Sequence, residues 1–331
     1  MAVLGNTMID LIDKYKLEDS NGQIVKVIEL LSEMNPILDD AMMVECNKGT
    51  IHMHTVRTGL PSVSWGKLYK GIDQSKSRTA QVEDTTGFVE GLSSVDTRLL
   101  ELGNEGAIRL SEAQSFLEAM NIEVASKIFF GNSADDPEEF MGLAPRFNDL
   151  SAANGKQIID AGGTGSNNTS VWFVTWGDNQ CQLLYPKGTQ AGIKREDKGE
   201  QRVTDADGNA YYVKEEKFTW HVGLAVRDHR YVSRIANIDR TAMAAGTVKL
   251  YDFMRKAYYQ LQNRRVAGGK LAIYCNRDVL EALDALASNA GAADNFIRLK
   301  PMEIEGKEVM TYRGIPLRET DSLDVAEARV V

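Results

Sequence analysis

The sequence predicts an α+β protein whose body carries two polar extensions. Residues 111–131 place apolar side chains four positions apart, as a helix with one buried face does. Residues 151–300 mix strand-like and helix-like runs, which indicates a separate α/β lobe. Residues 1–48 are too few for a domain, and residues 49–90 have little apolar core of their own. Both are therefore predicted to be extensions that pack on something else.

Composition is typical of a globular chain of two or three lobes. The 331 residues are 43% hydrophobic and 26% charged, which excludes a disordered chain, a collagen and a coiled coil. No apolar run approaches the ~18 residues of a membrane span, and the N-terminus lacks the basic region of a secretory signal. The net charge of −9 and the pI of about 5.2 argue against tight binding to nucleic acid.

Cysteine usage indicates a reducing environment. The chain has three cysteines, Cys46, Cys181 and Cys275. An odd number at such distances provides neither a disulfide framework nor a Cys-x-x-Cys metal site. The protein is therefore expected to fold in a reducing cytosol.

The first extension is predicted to be an arm with two short amphipathic patterns, at 8–12 and 25–31. The second pattern ends before Asn35-Pro36, because the residue before proline leaves the helical region. The second extension, residues 49–90, is predicted to be a long polar β-hairpin. Residues 50–57 and 79–95 alternate like two strands.

The hairpin is strongly basic. Between residues 57 and 78 it carries one acid, Asp73, against five basic residues. A polar hairpin of this length, with so little core, is typical of a segment that is functional, is disordered or docks on a partner. We predict that its basic residues contact a neighbouring subunit: Arg57, Lys67, Lys70, Lys76 and Arg78.

The clearest helix is predicted at 111–131. Ser111 and Gln114 fit a capping box, and Gly131-Asn132 is typical of a helix end because both residues tolerate the left-handed conformation. One apolar stripe is expected to pack on the body: Ala113, Phe116, Leu117, Met120, Val124 and Ile128.

The remaining elements are predicted from residue 151 onward. An Asp207-Gly208 hairpin turn interrupts 203–213, and the strands at 218–226 and 231–235 are expected to pair with each other. Asn276 is expected to cap the helix at 277–288. The other elements are strands at 171–176, 182–185 and 271–275, a helix at 247–262, and two short strands within 302–319.

No pattern points clearly to catalysis, to a cofactor or to a metal. His52 and His54 share one face of a strand, but a zinc site needs further ligands, so a polar strand face or a subunit contact is preferred. The glycine-rich run at 162–165 lacks the Gly-Lys-Ser/Thr ending of a phosphate loop. The acids at 135–139 are interpreted as a solvated turn.

The charged run 227–230 contains an Asp228-His229 pair. No nucleophile motif accompanies this pair, so an ion-pair cluster is preferred to a catalytic site. A weaker alternative is a soluble α/β enzyme that uses His221 or His229. An arm and a hairpin without cores of their own favour instead a subunit that neighbouring copies complete.

Many stretches, in order along almost the whole chain, resemble the major capsid proteins of tailed bacteriophages, within a subgroup found in short-tailed phages. Each stretch alone is modest, and their number and order carry the resemblance. They are TVRTGLPSVSW (55–65), QSKSRTAQV (74–82), RLSEAQSFLEAMN (109–121), FFGN (129–132), PEEFMGLAPRF (137–147), IIDAGGTGSNNTSVWFVTWG (158–177), YPKGTQAG (185–192), GLAVRDHRYVSRIANID (223–239), YRGIPLRETDSL (312–323) and EARVV (327–331).

The resemblance implies the Hong Kong 97-type phage capsid fold. Residues 1–48 would be its N-terminal arm and residues 49–90 its extended loop, which lies across an adjacent subunit. Residues 91–150 would form the peripheral domain with the spine helix at 111–131. Residues 151–300 would form mainly the axial domain, and the strands of 301–331 would return to the peripheral domain.

The resemblance also implies a function and partners. The chain would assemble with itself into pentamers and hexamers of an icosahedral head that encloses double-stranded DNA. It would need no catalytic residue, cofactor or metal, and it would not bind a membrane or read a DNA sequence. A separate scaffolding protein, a portal and a cement protein are the other expected partners. The expected location is the virion, with assembly in the host cytoplasm. The main alternative is an encapsulin-like compartment shell.

Overall fold

The computed structural model describes residues 35–205, 207–264, 268–289, 299–304 and 307–331. The two amphipathic patterns predicted at 8–12 and 25–31 lie outside these residues. The helices described are α1 (Ile37–Asp40), α2 (Thr97–Glu101), α3 (Glu105–Phe130), α4 (Leu143–Arg146), α5 (Arg240–Ala244), α6 (Leu250–Gln260) and α7 (Arg277–Asn289).

The described strands form one large mixed sheet. Its main order is β11-β12-β13-β10-β5-β6-β8-β3-β2, while β1 adds to β6, β7 to β8, and β4 to β9, which itself pairs with β5. The strands are β1 (Met43–Glu45), β2 (Ile51–Gly59), β3 (Arg78–Asp96), β4 (Ile158–Asp160), β5 (Asn168–Trp176), β6 (Cys181–Tyr185), β7 (Ile193–Thr204), β8 (Ala210–Val226), β9 (Val232–Asp239), β10 (Lys270–Cys275), β11 (Lys300–Ile304), β12 (Lys307–Tyr312) and β13 (Ile315–Glu319).

Strand β5 is buried along its whole length because both faces of the sheet are covered there. Alternate side chains of a strand point to opposite faces. Trp172 and Val174 accordingly belong to the apolar cluster that contains α3. Val171 and Phe173 belong to a second cluster, which contains residues of α6 and α7. The largely apolar sequence of 171–176, in which Thr175 is the one polar residue, reflects this two-sided burial.

Helix α3 packs on the sheet with the predicted apolar stripe. Ala113, Met120, Val124 and Ile128 are buried, and Phe116 and Leu117 are partly buried against the same cluster. The ring of Phe116 stacks on Phe218 of β8, with ring centroids 5.7 Å apart. The stripe is confirmed, and it positions α3 across the strands that lead to the extended hairpin.

The predicted ends of this helix are corrected. Ser111 lies inside α3, which begins at Glu105, because buried Ile108 packs with Val95, Leu99 and Leu100 and extends the helix. Gly131 does follow the last helical residue, but its φ is −52°, not left-handed. Glycine is required there for another reason: a Cβ atom would lie 2.6 Å from the carbonyl oxygen of Phe140.

Two predictions of strand pairing are also corrected. The segments 218–226 and 231–235 belong to β8 and β9, which do not pair with each other; the short 3-10 helix His229–Tyr231 redirects the chain, so that β9 pairs with β5 instead. The tail contains three strands rather than two. Arg313 and Gly314 both have positive φ and form a tight turn that folds β13 back onto β12 and β10.

Other predicted elements are confirmed. Gly208 has φ +85° in the turn between β7 and β8, which form a long hairpin. The backbone N–H of Val279 donates to Oδ1 of Asn276 at 3.0 Å, so Asn276 caps α7. The predicted helix at 247–262 is α6, Leu250–Gln260.

Buried polar contacts bind both described ends of the chain to the body. Asp40 of α1 accepts a hydrogen bond from the Tyr274 hydroxyl (3.1 Å) and two from Arg318 (2.8 and 3.0 Å). Near the C-terminus, buried Glu327 accepts hydrogen bonds from Ser170 Oγ (2.6 Å) and Arg234 Nη2 (2.5 Å). These contacts hold Asp40 and Glu327 against the sheet.

Candidate functional site

The extended hairpin, formed by β2 and β3, is connected to the main sheet through the long strand β3. The second half of β3 pairs with β8, from Thr86 opposite Gly223 to Asp96 opposite Val213. The first half pairs with β2, which forms the edge of the sheet in the main strand order. The hairpin is therefore a two-stranded ribbon anchored in the body, and a register shift between Arg57 and Gly59 marks where it opens into a loop.

The segment between β2 and β3, residues 60–77, is exposed at every position; we call it the loop tip. Few internal contacts hold it: Ser75 Oγ donates to the Ser62 carbonyl oxygen at 2.8 Å, and Lys70 N–H donates to the Lys67 carbonyl oxygen at 3.3 Å. Tyr69, at the apex of this turn, has φ +63°. The conformation shown is thus supported by little of the chain's own packing.

Large apolar side chains are concentrated in the loop tip. Trp65 is 98% exposed, although burying such a side chain would stabilise a protein by roughly 1.5–3 kcal/mol. A contiguous set of this kind marks an interaction surface. The other members are Leu60, Val63, Leu68, Tyr69 and Ile72.

The sequence predicts that five basic residues of the hairpin contact a neighbouring subunit, and the structure adds exposed apolar residues to the same segment. Arg57 and Arg78 lie on the strands next to the register shift, and Lys67, Lys70 and Lys76 lie in the loop tip; all five are exposed. Within the described residues, none of the five forms an ion pair. The signal that was missed is the presence of Trp65, Leu68 and Tyr69 in a segment whose polar surroundings offer no core.

A buried polar group lies at the base of the hairpin. Nδ1 of His54 is 3.8 Å from Oδ2 of Asp84, and Arg146 Nη2 donates to Oδ1 of Asp84 at 2.7 Å. The same Arg146 atom also donates to the carbonyl oxygens of Met141 and Leu224, which joins the hairpin to the body. His52 and His54 therefore form a buried polar strand face, and burial lowers the pKa of both imidazoles.

The other candidates have structural roles. In the run 227–230, Arg230 pairs with Asp228 at 2.7 Å and Arg227 lies 3.7 Å from Asp178, which confirms an ion-pair cluster. His221 contacts the ring of Phe88 and His229 is exposed. Over the described ranges, no three His, Cys, Asp or Glu side chains are grouped to hold a metal ion.

The glycine-rich run packs against the body as a turn. Gly163 N–H donates to the Asn237 carbonyl oxygen at 2.8 Å, and a Cβ atom at Gly163 would lie 2.5 Å from that oxygen. Close backbone approach explains the glycine at this position.

The three cysteines are buried and unpaired. Burial raises the pKa of Cys46 to about 11 and that of Cys275 to about 12, and it raises the pKa of Cys181 further. Thiols are inert under these conditions, because the thiolate is the reactive form.

None of the helices in the described ranges is both long enough and apolar enough to cross a bilayer. The arrangement is a mixed-sheet body from which a long exposed loop extends. Such a protein is a subunit of a larger assembly, and its fold is that of the Hong Kong 97-type capsid proteins.

Comparisons with known proteins identify the family. The family model for major capsid protein GP7 matches residues 19–331. A solved structure of bacteriophage epsilon15 matches at 34% identity with a TM-score of 0.79, and the match covers 100% of both chains. The chain belongs to the major capsid protein GP7 family, and it is therefore part of a phage virion.

A more distant capsid structure shares the fold. The bacteriophage JBD30 capsid matches at 12% identity with a TM-score of 0.54, over 89% of this chain and 93% of that one. An encapsulin from Synechococcus elongatus PCC 7942 matches at 10% identity with a TM-score of 0.46, over 70% and 96%. A search of curated proteins gave no match. The family match favours the phage capsid over the compartment shell.

Proposed function

We propose that the chain assembles into pentamers and hexamers that close an icosahedral shell around double-stranded DNA. The observation that carries this proposal is the loop tip, which exposes large apolar side chains beside cations that have no partner in the described chain. A neighbouring copy in the shell supplies the missing surface. The 34% identity to the epsilon15 structure over the whole chain supports the same conclusion.

Many modest contacts would hold the shell together. Exposed ion pairs contribute ~0.2–1 kcal/mol each, so Arg57, Lys67, Lys70, Lys76 and Arg78 give orientation more than affinity. The apolar side chains of the loop tip contribute more, because their burial removes a large area from water. Contacts that are individually weak allow an incorrectly placed subunit to leave before the shell closes.

The proposed parts of the subunit follow the division expected from the sequence. Residues 1–48 act as an arm and residues 49–90 as the extended loop. Residues 91–150 form the peripheral domain, residues 151–300 mainly the axial domain, and residues 301–331 supply the C-terminal strands of the peripheral domain. The anchoring of the ribbon in the sheet through β3 and β8 supports the assignment of the loop.

The proposed partners are those of a shell protein. DNA is enclosed without sequence-specific contact, consistent with the net charge of −9. A scaffolding protein, a portal and a cement protein are the further partners, and assembly takes place in the host cytoplasm. The chain uses neither catalytic residues nor a cofactor in this role.

Electron microscopy of the purified chain, expressed with a scaffolding protein from the same genome, tests this proposal. Closed shells of uniform diameter are the expected result. A discrete small oligomer whose melting temperature shifts with a small-molecule ligand would contradict it and favour the enzyme that uses His221 or His229.

The contact residues are tested by changing Lys67, Lys70 and Lys76 to Glu together. Shell yield should fall, because three like charges would then face the acidic surface of the neighbour. Arg202→Glu on exposed β7 is the control, since it reverses a charge outside the extended hairpin formed by β2 and β3. Normal yield from the triple variant would show that these lysines do not orient the loop.

A further inference from the structure

Two arginines and two tyrosines form a cluster at the C-terminal end of α6. The rings of Tyr258 and Tyr259 are T-shaped, with centroids 5.3 Å apart. Cζ of Arg264 lies 5.4 Å from the centroid of Tyr258 and 5.2 Å from that of Tyr259. Cζ of Arg313, from the turn between β12 and β13, lies 5.0 and 5.3 Å from the same two centroids. These are cation–π distances, and we call the four residues the arginine–tyrosine cluster.

The body holds both guanidinium groups in place. Arg313 Nη1 donates to the Tyr259 hydroxyl oxygen at 3.2 Å, and Arg264 Nη1 donates to the Leu261 carbonyl oxygen at 3.4 Å. Leu261 and Tyr312, which precedes Arg313, are buried. Contact with a ring uses no N–H donor of a guanidinium group, so most donors of both arginines remain for an acceptor outside the cluster. Because the groups are already positioned, binding costs little ordering of side chains.

The cluster carries positive charge that no carboxylate neutralises in the described ranges. Most arginines of the described body pair with an acid. Arg264 and Arg313 contact rings, a hydroxyl and a carbonyl oxygen instead. Arg255, one helical turn before Tyr259, adds a third guanidinium group and pairs with Asp252 at 2.8 Å. The cluster is therefore a local excess of positive charge on a chain whose net charge is −9.

The chemistry of the cluster fits a phosphate backbone better than a protein surface. Protein interfaces have an apolar centre, whereas interfaces with DNA are more polar and more positively charged. Here the exposed ring, Tyr259 at 60%, lies beside guanidinium groups. The planar fork of arginine matches two phosphate oxygens, and tyrosine hydroxyls also donate to phosphates. The Tyr259 hydroxyl accepts from Arg313 and still has its own O–H to donate.

We propose that the arginine–tyrosine cluster binds the phosphate backbone of the enclosed double-stranded DNA through Arg264, Arg313 and the Tyr259 hydroxyl. The contact is independent of sequence, because it reaches phosphate oxygens and not base edges. The inference rests on the proposed shell function and names the place where the inner wall meets DNA. Because the chain as a whole is acidic, the contact is weak in one subunit and gains effect by repetition over the shell.

DNA binding by the purified chain tests the assignment. The probe is a short fluorescent DNA duplex of random sequence, and fluorescence anisotropy measures its affinity over a range of salt concentrations. In the double variant Arg264→Gln with Arg313→Gln, the affinity at low salt should fall roughly tenfold. The slope of log K against log salt should fall in magnitude by about 1.8, because each phosphate contact contributes ~0.9.

The matched control is Arg202→Gln with Arg329→Gln. It removes the same charge from two exposed arginines that form no ion pair in the described ranges and lie outside the cluster. This control should bind the duplex as wild type does. Equal losses in both double variants would show that binding follows net charge alone, and no loss in the cluster variant would show that the cluster is not used. Either result overturns the site.

Shell assembly in the absence of DNA separates this site from the proposed function. The cluster variant, expressed with the scaffolding protein, should form empty shells in normal yield. Failed shells together with an unchanged affinity for the duplex would identify acidic groups of a neighbouring copy as the ligand, and would overturn the DNA contact. A wild-type chain that forms no shells overturns the proposed function, whereas the duplex measurement still decides the cluster.

The side of the shell on which the cluster lies provides a second readout. Lys256→Cys places a thiol on exposed α6 beside the cluster and leaves its four residues intact. A polyethylene glycol maleimide too large to enter the shell should label this thiol only after the shells are separated into folded subunits. Wild type should stay unlabelled throughout, because the native cysteines are buried. Labelling of intact shells would place the cluster outside and overturn the DNA contact.

Discussion

His52 and His54 lie where the ribbon meets the body, and three of their ring nitrogens have no hydrogen-bond partner in the described structure. Burial is the largest cause of their lowered pKa values. For His52 the charge of Arg227 adds to this effect, whereas Asp84 and Asp178 oppose it. For His54, Asp84 opposes it, and Arg227, His52 and Arg146 add to it. The neutral imidazoles are therefore the form that the fold accommodates.

The sign of the pH dependence follows from this shift. The pKa values of His52 and His54 are lower in the folded state than in the unfolded state. Their contribution to the free energy of unfolding is therefore complete above about pH 6.5 and is lost as the pH falls through the folded-state pKa. The double variant His52→Gln with His54→Gln should lose less melting temperature than wild type between about pH 8 and pH 5. Thermal unfolding at both pH values measures the difference.

The exposed His229 provides the matched control. His229→Gln removes one exposed imidazole outside the buried pair, so a pH dependence kept in this variant and reduced in the double variant belongs to His52 and His54. Equal pH dependence in the double variant and in wild type would show that the buried pair does not set acid stability.

Two glycines, one at each end of α3, test whether close contact with the backbone of another segment requires glycine. Gly131→Ala should destabilise the protein by about 1–3 kcal/mol, because the added Cβ atom would lie 2.6 Å from the Phe140 carbonyl oxygen. Gly106→Ala, inside the same helix, has open space around its Cβ position and should stabilise by about 0.5–1 kcal/mol. Urea unfolding of both variants measures these effects. Opposite signs are expected, and a loss of equal size at both positions would refute the steric explanation.

Among the secondary-structure elements, α3 was the best predicted because its apolar spacing reports burial directly. The start of α3 was missed because it depends on the packing of Ile108 against residues before the helix, which periodicity does not contain. The pairing of β8 and β9 was missed for a related reason: adjacency in sequence suggested a hairpin, but the turn at 227–231 redirects the chain.

The candidate site was only partly predictable. Charges are visible in any sequence, and the five basic residues of the hairpin were identified from it. Exposure of Trp65 and Tyr69 depends on the absence of neighbours, which only the fold reveals.

A charge on the buried face of α3 should unfold the protein. Met120→Asp places a carboxylate between the helix and the sheet, where it has no partner, and should cost at least ~4 kcal/mol. Ala119→Asp adds the same charge to the exposed neighbouring position and should change stability by less than ~1 kcal/mol. Circular dichroism during urea titration distinguishes the two. A soluble, folded Met120→Asp variant would contradict the assignment of this face to the core.

For the whole molecule, the C-terminal residues complete the core. Glu327 joins Arg234 of β9 and Ser170 of β5, while Asn237 exchanges two hydrogen bonds with the backbone of Val330. The last residues therefore belong to the body that carries the hairpin. A C-terminal change is expected to affect folding before it affects assembly.

Glu327→Ala tests this role. It leaves the buried guanidinium of Arg234 without its carboxylate and should cost about 3–5 kcal/mol. Arg329→Ala, two residues further on and exposed, is the control and should be close to neutral. The urea midpoint of each variant measures the effect. Equal midpoints would show that the pair contributes nothing to folding.

The continuity of β3 has a mechanical consequence. The strand has 19 residues. A force applied to the loop acts on its first half, while hydrogen bonds to β8 hold its second half in the sheet. A sideways pull on the loop reaches the sheet as shear along that ladder, where many bonds share the load. The two-stranded ribbon bends most easily near Gly59, where its register shifts. The loop tip can therefore change its angle to the paired strands without disturbing the hydrogen bonds between β3 and β8.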